Sequence, residues 1–220
     1  MIEAVVFDLD GLLLDTEQVW DEVREALTRE RGGHWHERAQ ADMMGMSSKE
    51  WPRYMQEELG VPDPPEEINR LVVERMQERY RERLPLVDGA VEAVRRIGAR
   101  WPLGLASSSN RPLIDLALEL MGVADLFQVT VSSEEVERGK PAPDVYVEAA
   151  RRLEVRPENV VAIEDSANGI RSAKAAGMRV IAIPNPHFPP PEDVLAEADL
   201  ALESLSELRP DAVESASSRP

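Results

Sequence analysis

Two aspartates one residue apart, Asp8 and Asp10, stand at the end of a short apolar run and directly before Gly11. Paired carboxylates at the mouth of a buried strand cost free energy unless a cation compensates them, and oxygen donors of this kind suit a hard divalent ion. Gly11 lets the chain turn sharply and bring backbone N–H groups toward a ligand. Asp-x-Asp-Gly is also a common turn, so the motif takes its meaning from what accompanies it. Ala106-Ser107-Ser108-Ser109 leads into a helical pattern starting near Pro112. A hydroxyl and free N–H groups there can receive phosphate, although a serine before a helix also serves as a plain N-cap. Gly139-Lys140-Pro141-Ala142-Pro143-Asp144 pins a lysine between Gly and Pro, which in a net acidic protein suits a phosphate contact better than a solvated surface charge. It is not a P-loop, because Glu134 and Pro141 stand where Gly and Ser/Thr are required. Glu164-Asp165-Ser166 closes a further apolar run. Two acid pairs at the ends of two strands suit one cation with oxygen ligands, while Asp165 or Ser166 could also simply cap the next helix.

These residues must be held along one edge. The apolar runs Ile2–Asp8, Pro102–Ser107, Phe127–Val131, Val160–Ile163 and Val180–Ile183, with a weaker one at Asp199–Leu202, read as buried strands. Helical patterns at Ala90–Ala99, Pro112–Met121, Pro143–Leu153 and Asn168–Ala176 alternate with them, and Gly122 and Gly177 stand at expected helix ends. This alternation predicts an α/β fold with a doubly wound parallel sheet, whose ligands bind beyond the carboxyl ends of the strands. Between about Thr16 and Leu84 the alternation stops, and helical patterns at Glu17–Arg31, Ser47–Leu59 and Glu66–Arg83 predict an inserted all-helical domain. The expected division is therefore a core of residues 1–15 and 85–209, a helical insertion of 16–84, and a disordered tail of 210–220 that is small, polar and Pro-flanked.

The chain of 220 residues carries 25 Lys and Arg against 42 Asp and Glu, a net charge of −17. Such a surface repels nucleic acid and anionic membrane, and a small anionic substrate requires local positive charge at its site. There is no Cys, which excludes disulfides and thiolate chemistry. Glu3, Asp8 and Asp10 interrupt the N-terminal apolar run, so a secretory signal is not expected and a cytoplasmic location is. No stretch is long and apolar enough to span a bilayer, and a monomer is expected.

Taken together, in this order and at strand ends, these motifs resemble the haloacid dehalogenase superfamily. Asp15-Thr16-Glu17, Gly45-Met46-Ser47 and Gly139-Lys140-Pro141-Ala142-Pro143-Asp144 are closest to the branch of β-phosphoglucomutases and sugar-phosphate phosphatases. The resemblance implies that the helical insertion is a cap and that a small phosphorylated metabolite is the substrate. It makes Asp8 a nucleophile that forms an aspartyl-phosphate and Asp10 the general acid and base. It implies Mg2+ held by Asp8, the backbone carbonyl of Asp10, Asp165 and Glu164, with Ser107, Lys140 and the amides of Leu9 and Ser108 on the transferring oxygens.

In the mutases a histidine and an arginine of the cap grip a second phosphate. Trp20 and Ser48 stand at those positions here, which favours a hydrolase over a mutase. Trp20 could equally be a core aromatic of the cap, and Lys49 could stand in for the arginine, which keeps β-phosphoglucomutase-type transfer as the alternative. A metal-independent dehalogenase would leave Asp10 and Glu164–Asp165 without purpose, and a non-catalytic binding module would be expected to lose Asp8, Asp10 or Lys140. The remaining features carry plainer readings. His34 and His36 read as a surface loop, Met43-Met44-Gly45-Met46 as apolar lining or packing where cap meets core, and Pro184–Pro191 as a rigid loop.

Overall fold

The structure is a computed structural model that describes residues 1–43 and 46–216. The strand β1 (Ala4–Phe7) is apolar at every position and buried at every position, because helices cover both faces of its sheet. Alternate residues serve the two faces. Val5 and Phe7 belong to the larger apolar cluster, and Ala4 and Val6 to the smaller one on the opposite side.

After β1 come four helices, α1 (Glu17–Glu30), α2 (Ala39–Met43), α3 (Trp51–Glu57) and α4 (Pro65–Glu82). The alternating part follows as α5 (Ala90–Gly98), β2 (Leu103–Ser107), α6 (Arg111–Met121), β3 (Phe127–Ser132), α7 (Asp144–Arg152), β4 (Val160–Glu164), α8 (Ala167–Ala175) and β5 (Arg179–Ala182). The chain closes with α9 (Glu192–Leu195), β6 (Leu200–Ala201) and α10 (Pro210–Ala216).

The sheet runs β3-β2-β1-β4-β5-β6 with every neighbouring pair parallel. The predicted doubly wound α/β architecture is therefore what forms. The chain winds outward from β1 through β2 to β3, then returns to the other side of β1 with β4. That reversal opens a crevice between the carboxyl ends of β1 and β4, where such sheets bind ligands. Asp8 follows β1, and its N–H donates to the Ile163 carbonyl of β4 at 3.0 Å. Glu164 ends β4 and Asp165 follows it.

One expectation is corrected. The segment after Arg209 has the Ser, Glu and Pro content of a disordered tail, yet Pro210–Ala216 is the helix α10. Val213 and Ala216, three residues apart, form a short buried stripe that joins the larger apolar cluster. The Arg96 guanidinium holds the approach to it by donating to the carbonyls of Leu205 at 2.8 Å and Leu208 at 2.9 Å. Residues 217–220 lie outside the described residues. The predicted Ser47–Leu59 helix is also shorter, because Glu50 turns its carboxylate back to the Ser47 N–H and the helix starts only at Trp51.

Candidate active site

Asp8 is buried at the carboxyl end of β1, and its Oδ1 accepts a hydrogen bond from Lys140 Nζ at 2.7 Å. The same ammonium donates to Glu164 Oε1 at 2.6 Å. The buried Tyr146 hydroxyl, in the first turn of α7, donates to that oxygen at 2.7 Å. Glu164 Oε2 accepts from the N–H groups of Asp165 and Ser166 and from the Ser166 hydroxyl. Glu164 is thus fixed by five donors, and the Ser166 side chain also caps α8 by accepting from the Gly169 N–H.

Carboxylate oxygens of Asp8, Glu164 and Asp165 all lie within 4.8 Å of one another. Three carboxylates facing one lysine ammonium leave two negative charges uncompensated. Burial, opposed by Lys140 and reinforced by Glu164, pushes the Asp8 carboxyl up to about 8. Burial, then Glu164 and Asp8, raise Asp165 well above the usual carboxylate range. For Lys140, burial alone would lower the pKa, but Asp8 and Glu164 more than reverse this and raise it. The buried Asp165 Oδ1 has no hydrogen-bond partner among the described residues. An orphaned buried carboxylate oxygen in a cluster whose full ionisation would leave two negative charges uncompensated fits a divalent cation with oxygen ligands.

Two glycines make the cluster sterically possible. A Cβ at Gly11 would lie 2.1 Å from Asp165 Oδ2, and the backbone there adopts φ +85°. A Cβ at Gly169 would lie 1.8 Å from Glu164 Oε1. Both positions are therefore restricted by the carboxylates they face.

Asp10 is held apart from this cluster. Its Oδ1 accepts from Thr16 Oγ1 at 2.7 Å and from Trp20 Nε1 at 3.4 Å. Its Oδ2 accepts from Ser109 Oγ at 2.7 Å and Ser107 Oγ at 3.3 Å. Sheet and helical insertion thus share the orientation of one carboxylate. Ser107 itself is fully buried, and its hydroxyl also accepts from the Ser109 N–H. The N–H groups of Leu9 and Ser108 have no acceptor among the described residues.

A cavity of about 320 Å³ opens over these groups. Asp8, Asp10, Lys140, Asp165, Ser108 and Ser109 form its floor, and Glu17, Trp20, Arg24, Met43, Met46 and Trp51 come from the helical insertion. The third wall is Asn185 with Phe188–Pro191, so the proline-rich run, beyond being a rigid loop, is an apolar wall of the site. Trp20 both packs in the helical insertion and lines the cavity. It is buried against Trp51 with ring centroids 5.9 Å apart, and its indole N–H touches Asp10.

Ser48 and Lys49 are placed elsewhere. The Ser48 hydroxyl lies 3.4 Å from that of Ser133, and Lys49 Nζ donates to the Val136 carbonyl. Neither is among the described residues lining the cavity. His36 contacts the Tyr54 hydroxyl, which also donates to Asp42. Met44 and Gly45, in the apolar stretch and the Gly45-Met46-Ser47 motif, lie outside the described residues.

Arg24, Tyr146 and Trp51 do not stand out in the sequence. Glu17, Trp20 and Arg24 recur at helical spacing on one face of α1, a signal that was available. Tyr146 follows Lys140 by six residues and is reached only because α7 begins between them. Nothing local marks Trp51, whose role depends on how α3 packs on α1.

A doubly wound parallel sheet with acid pairs at its switch point, a fixed lysine and a helical insertion over the crevice defines a phosphoryl-transfer class of α/β hydrolase. The chain belongs to the haloacid dehalogenase-like hydrolase family, whose model matches residues 5–183. It is 36% identical to hexitol phosphatase B of Escherichia coli K12 over 214 residues, covering 94% of each chain. It is 33% identical to the phosphorylated carbohydrates phosphatase of Thermotoga maritima, over 82% of this chain and 84% of that protein. The crystal structure of CbbY from Rhodobacter sphaeroides in complex with phosphate superimposes with a TM-score of 0.86 at 29% identity, over 97% of this chain and all of that one.

Proposed function

We propose that this enzyme is a Mg2+-dependent phosphatase that hydrolyses monoesters of small phosphorylated sugars or sugar alcohols through an aspartyl-phosphate. The observation that carries the reading is the placement of Asp8. It lies 2.7 Å from Lys140 within a buried acid cluster, on the floor of a cavity lined also by the helical insertion and the proline-rich loop, with Asp10 beside it. The names of the hexitol and carbohydrate phosphatases above support the substrate class.

A carboxylate oxygen of Asp8 attacks phosphorus, the bond from phosphorus to the sugar oxygen breaks, and Asp10 protonates the departing oxygen. Asp10 then takes a proton from water as the water attacks the aspartyl-phosphate, and the bond to Asp8 breaks to release inorganic phosphate. Lys140 and the amides of Leu9 and Ser108 offset charge on the transferring oxygens, which is where phosphoryl transfer needs most help. Ser107 and Ser109 act through Asp10, whose oxygen they hold. Asp8, Asp165, Glu164 and the Asp10 backbone carbonyl would hold Mg2+, which when bound neutralises phosphoryl charge. Trp20, in the position of the mutase histidine, and Lys49, tied to the Val136 carbonyl, support hydrolysis over intramolecular phosphate exchange. The net charge of −17 agrees with a monomeric enzyme of small anions rather than a nucleic-acid binder.

With Mg2+ and a panel of sugar and polyol phosphates, inorganic phosphate is released. Interconversion of β-glucose 1-phosphate and glucose 6-phosphate faster than phosphate release would overturn the assignment in favour of a mutase. EDTA abolishes release and added Mg2+ restores it, whereas a dehalogenase of this fold would ignore the chelator. Asp8→Asn lowers kcat by about a thousandfold or more, as expected for loss of a nucleophile. A variant with wild-type turnover would remove Asp8 from that role.

A further inference from the structure

Arg24 is a buried cation that forms no ion pair among the described residues. The residue is 9% exposed, and its guanidinium carbon sits 4.5 Å from the Trp20 ring centroid and 4.8 Å from that of Trp51. The two indoles account for the faces of the guanidinium but not for its edge. An arginine carries five N–H donors, and none of those of Arg24 has an acceptor among the described residues; the buried Nε is an orphan outright. The residue's remaining exposure is onto the cavity that also holds Asp8 and Asp10. Glu17 and Asp21 lie near enough to favour its charged form, yet neither forms an ion pair with it within 4.0 Å. Burial lowers its pKa only to about 10, so the charge persists at neutral pH.

Removing a guanidinium from water without a partner is costly unless something else supplies the partner. Aromatic stacking alone would be served by an uncharged side chain. A planar fork of free donors at a cavity wall suits a bidentate oxyanion. Arg24 stands one helical turn past Trp20, roughly 6 Å further along α1, and Trp20 is the residue whose indole touches Asp10. It therefore lies beside the reaction centre on the same cavity wall, separated from Asp10 by the Trp20 indole.

We propose that Arg24 receives a second anionic group of the substrate, a carboxylate or phosphate carried at the other end of the carbon chain from the scissile ester. The preferred substrates are then sugar-derived phosphomonoesters with two negative groups. This rests on the phosphatase reading above and narrows it. Glu17, whose carboxyl is pushed up to about 7, chiefly by burial and then by Asp10, is neutral in a large share of molecules at that pH and becomes more so as an anion approaches. It then offers the incoming group a donor instead of a repelling charge.

Matched pairs test it. Glucitol 6-phosphate and 6-phosphogluconate share an open six-carbon chain and differ by a terminal carboxylate. Fructose 6-phosphate and fructose 1,6-bisphosphate differ by a second phosphate. The wild-type enzyme is expected to favour the dianionic-ended member of at least one pair by tenfold or more in kcat/KM, and the pair that responds tells carboxylate from phosphate. In Arg24→Gln that ratio falls to within about threefold of unity, and in Arg24→Lys, which keeps the charge, most of it returns. Equal or reversed preference in both wild-type pairs overturns the inference, and this measurement needs no variant to fold. A ratio that survives Arg24→Gln overturns it too. Phosphate release from the neutral-ended members without preference leaves the phosphatase reading standing, whereas release from none of the four sinks both.

Discussion

Glu17 shows how one side chain's surroundings set a property of the whole protein. Burial is the largest influence on its carboxyl, Asp10 adds to it, and Arg24 opposes, so its pKa rises from 4.5 to about 7. The folded chain therefore holds this proton more tightly than the unfolded chain does. The stability gained from the neutral form is complete below pH 4.5 and is lost as pH rises through about 7. Glu17→Gln mimics the neutral form and loses nothing over that window. The variant should match wild type near pH 4.5 and exceed it at pH 8 by roughly 1–3 kcal/mol, after allowance for the part of Glu17 that reaches solvent. Thermal unfolding at the two pH values measures the gap, and a gap independent of pH would contradict a raised Glu17 pKa as its origin. Asp8 and Glu164–Asp165 were legible in the sequence because each stands at the end of a strand whose apolar run marks its place, and Lys140 because it is pinned between Gly139 and Pro141. Trp51 was not, because it meets α1 only when α3 packs against it, whereas Glu17 and Arg24 share a readable face of α1 whose spacing does not say what that face will cover.

At the level of elements, all six strands were legible, including the marginal β6, as short apolar runs between helical patterns, rich in Val and Ile in β1, β4 and β5 but not in β2 or β6. The short helices α2 and α9 were not, because four or five residues hold too little periodicity to read. The start of α8 shows an element bent to serve the site. Gly169 lies within the first turn of this helix, where alanine would be the better helix former by about 1 kcal/mol. Its position is explained by Glu164, whose carboxylate occupies the space a Cβ would need, at 1.8 Å. The five donors on Glu164 leave it nowhere to retreat without breaking its bonds to Lys140 or Tyr146. Gly169→Ala should therefore retain its helix while spoiling the acid cluster. The Mg2+ concentration for half-maximal activity is expected to rise by about tenfold or more, as for other losses of support around a metal ligand. Far-UV circular dichroism should not change. A wild-type Mg2+ requirement in that variant would mean that Glu164 does not contribute to the metal site.

Across the whole molecule, one apolar cluster runs from the four inserted helices through the near face of the sheet to α5, α6 and α10. Polar contacts join the same parts. Asn110 donates to both Asn69 of α4 and Glu134, and a Cβ on Gly139 would press on Ser47 at 2.8 Å. The last helix belongs to this continuous core, which composition concealed: of its seven residues only Val213 and two alanines are apolar, and their value depends on the surface they meet. Full burial of a valine contributes about 1.5–3 kcal/mol, and Ala216 adds a smaller share. A chain ending at Arg209 should thus lose roughly 2–4 kcal/mol of stability, and the melting temperature should fall by about 5–10 °C for a protein of this size. Because α10 supplies no residue to the cavity, phosphate release at 25 °C should continue at the wild-type kcat. Differential scanning calorimetry beside a steady-state assay separates the two effects. An unchanged melting temperature would return the segment to the status of a dispensable tail, and a lost kcat with an intact fold would mean that the end of the chain reaches the site by a route that its packing does not reveal.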